Sequence, residues 1–239
     1  RAIELDPKEP QNYVLRGHAR ESKHLPDEAI ADLTKAIELD PQRAVAIHNL
    51  GNIKAERKQY DQAIPDYTRA LSLEPGLAVA YYSRANAKRE KGLREEAILD
   101  FTECIKRDPK FQWGYVNRGL ELDTKGLLNE ALEDFNRAIA LDPKDANAYS
   151  MRGGTKKDLG LLDDAIADCT KAIDLDPRNA IAYNNRGNAK RAMGLYDDAV
   201  ADLTKSIELN PKYPLAYCNR GIVKFDQGLV DDAIADCTK

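Results

Sequence analysis

The chain has 239 residues, of which 43% are hydrophobic and 32% charged, as in ordinary folded globular proteins. Its net charge of −4 gives no excess of Lys and Arg for nucleic acid, and the sequence has no run of about 18 apolar residues to cross a membrane. We therefore expect neither nucleic acid nor a membrane as a partner.

Three residue types recur every 34 residues along the chain. Prolines mark the period at Pro7, Pro41, Pro75, Pro109, Pro143, Pro177 and Pro211. Alanines share a second register at Ala29, Ala63, Ala97, Ala131, Ala165, Ala199 and Ala233. A small residue holds a third register at Gly17, Gly51, Ala85, Gly119, Gly153, Gly187 and Gly221. A fixed period of this length predicts an array of helical repeats.

Each period is predicted to form a hairpin of two amphipathic helices. In residues 180–210 the first helix ends near Gly194, and the second must stop before Pro211 because the residue before a proline disfavours the helical conformation. Asp197 suits the N-cap of the second helix, and equivalent caps are predicted at Asp27, Asp61, Asp163 and Asp231. A single hairpin cannot bury its apolar stripe alone, so neighbouring hairpins are expected to stack.

The predicted elements follow one another as a single array over residues 1–239. Residues 1–9 end a preceding second helix, residues 10–213 form six complete hairpins, and residues 214–239 form a partial seventh. Both ends lie at the same phase of a second helix, so we expect the sequence to be a piece of a longer chain. Exposed terminal repeats would then favour head-to-tail self-association.

These residues resemble the tetratricopeptide repeat family. The period, the closing Pro, the Gly and the Ala all match, and an aromatic residue opens the first helix at Tyr13, Tyr81, Tyr115, Tyr149, Tyr183 and Tyr217. The resemblance implies an all-α fold, a right-handed superhelical solenoid of 34-residue helix-turn-helix repeats. It also implies a concave groove lined by the first helices, where such domains commonly hold extended peptides.

The sequence departs from the family pattern beside the recurring Gly. A cation precedes it at Arg16, Arg84, Arg118, Arg152, Arg186 and Arg220, and a second follows at Arg20, Lys54, Lys88, Lys156, Lys190 and Lys224. Cations four residues apart repel each other, so each pair needs a partner. The second helices supply candidates at Asp32, Asp66, Asp100, Asp134, Asp168, Asp202 and Asp236, and we predict a structural ladder of salt bridges.

Specificity is expected where the repeats differ, on one face of the first helices. We define the variable stripe as the residues equivalent, in each repeat, to Val79, Tyr82, Ser83, Asn86, Arg89 and Glu90. Their i, i+3, i+4 and i+7 spacing places them on one helix face. The residues predicted to bind a peptide are Asn49, Asn52, Tyr82, Asn86, Trp113, Asn117, Leu120, Met151, Asn185, Asn188 and Asn219. Alternatively, Trp113 and Val116 pack between adjacent first helices.

The asparagines of the variable stripe can donate to and accept from any peptide backbone. They resemble the asparagine ladder in the tetratricopeptide arm of nucleocytoplasmic N-acetylglucosaminyltransferases. The stripe carries more acids than bases, which argues against a carboxylate clamp for an acidic tail and favours an uncharged or basic peptide. A non-enzymatic protein-interaction scaffold is the favoured function. A substrate-recruiting arm of a larger enzyme and a fixed structural subunit of a large assembly are the alternatives.

Nothing in the sequence predicts chemistry of its own. We expect no catalytic residue, no cofactor and no metal site, because the acids occupy caps and the ladder and the cysteines lie far apart. Cys104, Cys169, Cys218 and Cys237 are expected to be small buried residues in a reducing compartment, which favours the cytoplasm. His18, His24 and His48 are expected at the surface or in the groove.

Overall fold

The computed structural model describes residues 2–238, apart from the side chain of Ala2. Over that range the chain forms fifteen α-helices and no strand, so the all-α prediction is confirmed. The helices are α1 (Ala2–Leu5), α2 (Pro10–Glu21), α3 (Pro26–Leu39), α4 (Ala44–Glu56), α5 (Tyr60–Leu73), α6 (Ala78–Glu90), α7 (Arg94–Arg107), α8 (Gln112–Thr124), α9 (Leu128–Leu141), α10 (Ala146–Asp158), α11 (Leu162–Leu175), α12 (Ala180–Ala192), α13 (Tyr196–Leu209), α14 (Pro214–Asp226) and α15 (Val230–Cys237).

The chain divides into two compact units, Arg1–Gly114 and Tyr115–Lys239, with the boundary inside α8. In the first unit the hairpins are α2–α3, α4–α5 and α6–α7, and each second helix also packs on the first helix that follows it in that unit. In the second unit α10–α11, α12–α13 and α14–α15 pair in the same way. Each unit is therefore built from consecutive stacked hairpins.

The recurring glycine marks the closest approach of the two helices in a hairpin. A methyl group built on Gly187 would lie 2.8 Å from Cγ of Leu203 and 3.2 Å from the carbonyl oxygen of Ala199. Leu203 and Ala199 are both fully buried on α13. The repeated Ala therefore faces the repeated Gly at this hairpin. A Gly in the middle of a helix costs about 1 kcal/mol of helix stability relative to Ala, and close packing of this kind offsets that cost.

The prediction that the repeated Asp residues are N-caps is wrong. The second helices begin one residue before each Asp, and their N-caps are Leu25, Gln59, Leu161, Leu195 and Leu229, none with a side-chain capping bond. Several of these carboxylates are engaged by the next hairpin instead: Arg57 donates to Asp27 at 2.6 Å and Gln227 donates to Asp197 at 2.8 Å. An acid in the first helical turn is also stabilised by the helix dipole.

The salt-bridge ladder is confirmed. In the hairpin α10–α11, Arg152 donates through Nη2 to Oδ1 of Asp168 at 2.6 Å and through Nε to Oδ2 at 2.7 Å. Lys156 Nζ lies 2.8 Å from the same Oδ2. The arrangement of one Asp with two cations recurs at Asp32, Asp100, Asp202 and Asp236. Each carboxylate thus joins the second helix to the first helix of its own hairpin.

The same arginines also contact the preceding hairpin. Arg186 of α12 donates from Nη1 to Oγ1 of Thr170 on α11 at 3.1 Å, while its other nitrogens hold Asp202 on α13. Its guanidinium also lies 5.5 Å from the ring centroid of Tyr183, at cation–π distance. One side chain therefore links three consecutive helices, and the aromatic residue that opens the first helix supports it.

Two hairpins have only one of the two cations. Leu122 stands where the others have Lys or Arg, so the cation that pairs with Asp134 within the described residues is Arg118. Burial raises the pKa of Asp134, and the bonds from Arg118 do not reverse this. At Asp32 burial also acts upward, but bonds from two arginines lower the pKa overall. Asp32 therefore stabilises the fold at neutral pH and loses that contribution as pH falls through its lowered pKa, whereas Asp134 contributes no such stability.

Candidate peptide-binding surface

Trp113 lies at the start of α8 and is 49% exposed, so it does not fill a core position. The equivalent residues of the variable stripe in the first unit, Val45 and Val79, are also exposed. Val116, one turn further along α8, is only 8% exposed and packs on Ala138 and Ile139 of α9 and on Ala148 of α10. Val116 therefore packs as the alternative interpretation predicted, whereas Trp113 is about half exposed.

One position of the variable stripe is mostly buried, which the sequence did not predict. Its buried members include Val14, His48, Val116, Ser150 and Asn184. His48 is 6% exposed, with Nε2 3.0 Å from Oγ of Ser83 on the neighbouring first helix. Burial lowers the pKa of His48, against a smaller upward effect of its contact with Asn49. The expectation of a surface or groove histidine is wrong here, because adjacent first helices pack at this position.

Tyr82 occupies the same stripe position as His48 and is half-buried. Its ring centroid lies 5.0 Å from that of Phe111 and 5.9 Å from that of Phe101, both in tilted arrangements. Aromatic pairs at these distances stabilise one another. Tyr82 is therefore held in place by two rings of its own unit and presents the remaining part of its surface outward.

Some predicted asparagines already make hydrogen bonds within the protein. Asn185 Nδ2 donates to the carbonyl oxygen of Ser150 at 3.0 Å, and Asn219 Nδ2 donates to Oδ1 of Asn184 at 2.8 Å. These bonds join α10 to α12 and α12 to α14. Asn188 is half-buried and makes no side-chain hydrogen bond within residues 2–238. An amide has two N–H groups and an oxygen with two lone pairs, so each bonded asparagine keeps capacity for a ligand.

The asparagines of the first unit follow the same pattern. Asn52 Oδ1 accepts a bond from the hydroxyl of Tyr67 at 2.9 Å, and Asn86 Nδ2 donates to the carbonyl oxygen of Tyr82 at 3.1 Å. Oδ1 of Asn49 lies 3.3 Å from Nδ1 of His48. These contacts fix the amide orientations, which lowers the entropy cost of binding a ligand.

The remaining predicted residues are divided between the two units. Tyr82, Asn86 and Trp113 belong to the first unit. Asn117, Leu120 and Met151 belong to the second, where all three are half-buried on first helices. Partial burial fits side chains that are packed at their base and open at their tip.

A polar cavity of about 470 Å³ opens between α2, α4, α5 and α6 of the first unit. Its lining includes Glu21, Asn52, Glu56, Asn86 and Glu90, all from the variable stripe. The side chains of Tyr60 and Tyr67 form part of its wall. We refer to it below as the acidic cavity.

The cysteine prediction holds for two of the four residues. Cys104 and Cys169 are buried, and burial raises the pKa of each thiol to about 12, so neither is a reactive thiolate. Cys218 and Cys237 are exposed, contrary to expectation. They lie on α14 and α15, on which no further hairpin packs within the described residues.

No group of His, Cys, Asp and Glu side chains within residues 2–238 is arranged to hold a metal ion. No helix among those described combines the length and the apolar character needed to cross a bilayer.

Comparison with known proteins assigns the family. Models described as tetratricopeptide repeat match residues 10–43, 44–77, 78–111, 146–179 and 169–201. A model described as TPR repeat matches residues 124–160 and 187–228. Together these matches cover more than half of the chain. No curated protein shows a significant sequence match to it.

Solved structures give the same result. The chain is similar to YrrB, described as a TPR protein with an unusual peptide-binding site, at 27% identity and a TM-score of 0.66 over 77% of this chain and 95% of that one. It is similar to MamA at 28% identity and a TM-score of 0.54, over 64% and 90% of the two chains. A tetratricopeptide repeat protein from Parabacteroides merdae shares the fold at 23% identity and a TM-score of 0.77, over 95% and 90%. The chain belongs to the tetratricopeptide repeat family.

Proposed function

We propose that this protein is a non-enzymatic interaction scaffold that binds an extended peptide segment on the variable stripe of its first helices. The observation that carries the proposal is Trp113, a large aromatic side chain left 49% exposed. An exposed aromatic residue at an interface typically provides a large share of the binding energy. The similarity to YrrB, whose description names a peptide-binding site, supports the same class of ligand.

The distribution of roles within each repeat supports a binding function further. The residues that are shared between the repeats have structural roles. Asp168, Arg152 and Lys156 hold a hairpin together, and Gly187 allows its two helices to pack closely. The variable stripe holds exposed apolar side chains together with amides of fixed orientation. This combination suits a peptide whose backbone is read by the amides and whose side chains contact the apolar residues.

Selection from a random peptide library displayed on phage tests the proposal. The immobilised full chain should enrich peptides that also bind it in solution, in an extended form and with micromolar or tighter affinity. Failure to enrich any peptide over a surface without the protein would contradict the proposed function.

We also propose head-to-tail self-association through the last hairpin. Ile222, Phe225, Val230 and Ile234 are exposed there and line an apolar cleft of about 400 Å³ between α14 and α15. Exposed apolar patches of this kind commonly mark contact sites, and Leu5 and Leu15 near the other end of the chain are exposed as well.

Sedimentation velocity over a wide concentration range measures this association. We expect the average mass to rise with concentration, and we expect Phe225→Asp to suppress the rise because a carboxylate would have to be buried in the contact. A monomer at every concentration would contradict the proposal.

A further inference from the structure

The acidic cavity of the first unit is lined by three carboxylates, of Glu21, Glu56 and Glu90, and by one cation, Arg89. Glu21 and Glu56 form neither an ion pair nor a side-chain hydrogen bond within the described residues. Glu90 lies 3.8 Å from Nε of Arg89, at the long end of ion-pair distance. The acids of the cavity therefore outnumber its cations.

The position of Glu21 is electrostatically unfavourable. Burial raises the pKa of its carboxyl group, and the neighbouring charge of Glu56 raises it further, against a smaller opposing effect of His18. Holding two like charges at the wall of one cavity costs free energy that a cation between them would recover. The excess of acids over cations in the cavity favours a positively charged group that is supplied from outside the chain.

Carboxylates at the same stripe positions of the second unit are satisfied within the protein. Asp226 accepts from Nε of Arg191 at 2.7 Å, Asp158 pairs with Lys157 at 2.7 Å, and Asp123 accepts from the hydroxyl of Thr155 at 2.6 Å. Unpaired acids are thus not a general property of this position in the repeat. They are confined to the place where the cavity opens.

We propose that the acidic cavity receives the side chain of a Lys or Arg residue of the bound peptide. This proposal rests on the proposed function and specifies its ligand. The charged head would lie between the carboxylates of Glu21 and Glu56. The aliphatic stem would pass Ala55 and Ala87, which also line the cavity, while Asn52 and Asn86 offer amides to the adjacent peptide backbone.

The library selection tests this inference when it is run in parallel on three forms of the full chain. These are the parent, Glu21→Gln combined with Glu56→Gln, and the control Glu74→Gln, which removes one exposed acid outside the cavity. The parent and the control should enrich peptides with Lys or Arg at one fixed position, and the double variant should lose that enrichment. Both substitutions remove repulsion, so the variant is expected to fold.

A selected peptide then provides the quantitative measurement. Its affinity for the double variant should fall about tenfold, the loss of one charge-assisted contact, and replacing its basic residue by norleucine should abolish the difference between parent and variant. Peptides selected without a preferred basic position, or bound equally by parent and double variant, would overturn this inference and leave the proposed function standing. Enrichment of no peptide at all would overturn both.

Discussion

Replacing Asp168 by alanine is expected to destabilise the second unit by about 3 kcal/mol, the lower end of the range for breaking a buried ion pair. Asp168 is 6% exposed and accepts bonds from both Arg152 and Lys156. Its removal leaves two cations side by side on one helix with no counter-charge. Each cation keeps some access to water, which limits the loss to the lower end.

Urea unfolding followed by circular dichroism measures this effect without screening the charges. Asp174→Ala is the matched control, since Asp174 is an exposed acid on the same helix and should change stability by less than about 0.5 kcal/mol. If the two variants unfolded at the same urea concentration, the ladder would be an ordinary set of surface ion pairs and not a structural element.

The second large effect concerns binding. Trp113→Ala should weaken the binding of a selected peptide by about 2 kcal/mol, or roughly 30-fold, because truncating an exposed aromatic anchor removes a main contact with the ligand. The helical content should remain unchanged, since half of the side chain already faces solvent. Isothermal titration calorimetry gives the affinity, and circular dichroism checks the fold.

Leu99→Ala is the control for this experiment. Leu99 is 66% exposed on α7, a second helix, so it offers a comparable apolar surface outside the variable stripe. Its truncation should leave peptide affinity within a factor of two of the parent. Equal affinities of the parent and the Trp113 variant would show that the binding surface lies elsewhere.

The sequence predicted the hairpins because their determinants repeat. Pro, Ala and Gly recur every 34 residues, and this pattern constrains where helices end and where they approach one another. In the structure Gly187 packs against Ala199 and Leu203, as the pattern requires. The ladder was predictable for the same reason, since cations four residues apart require a counter-charge. The N-cap prediction was wrong because the Asp carboxylates can contact either their own helix or the next hairpin, and sequence spacing does not distinguish the two.

The variable stripe was only partly predictable. Spacing places Trp113 and Val116 on one helix face, yet the first is exposed and the second buried, because burial depends on how closely the neighbouring helices approach. His48 is buried for the same reason. Glu21, Glu56 and Glu90 were recognised as members of the stripe, but the acidic cavity was not, since it forms between side chains of four helices.

Photo-cross-linking tests the central claim most directly. A library-selected peptide carrying a benzophenone group is mixed with the full chain, irradiated and digested, and the modified residues are identified by mass spectrometry. Binding on the first helices predicts cross-links at Trp113 and at neighbouring residues of the variable stripe, lost when unlabelled peptide competes. Competed cross-links confined to the second helices, for example around Leu99 on α7, would contradict it.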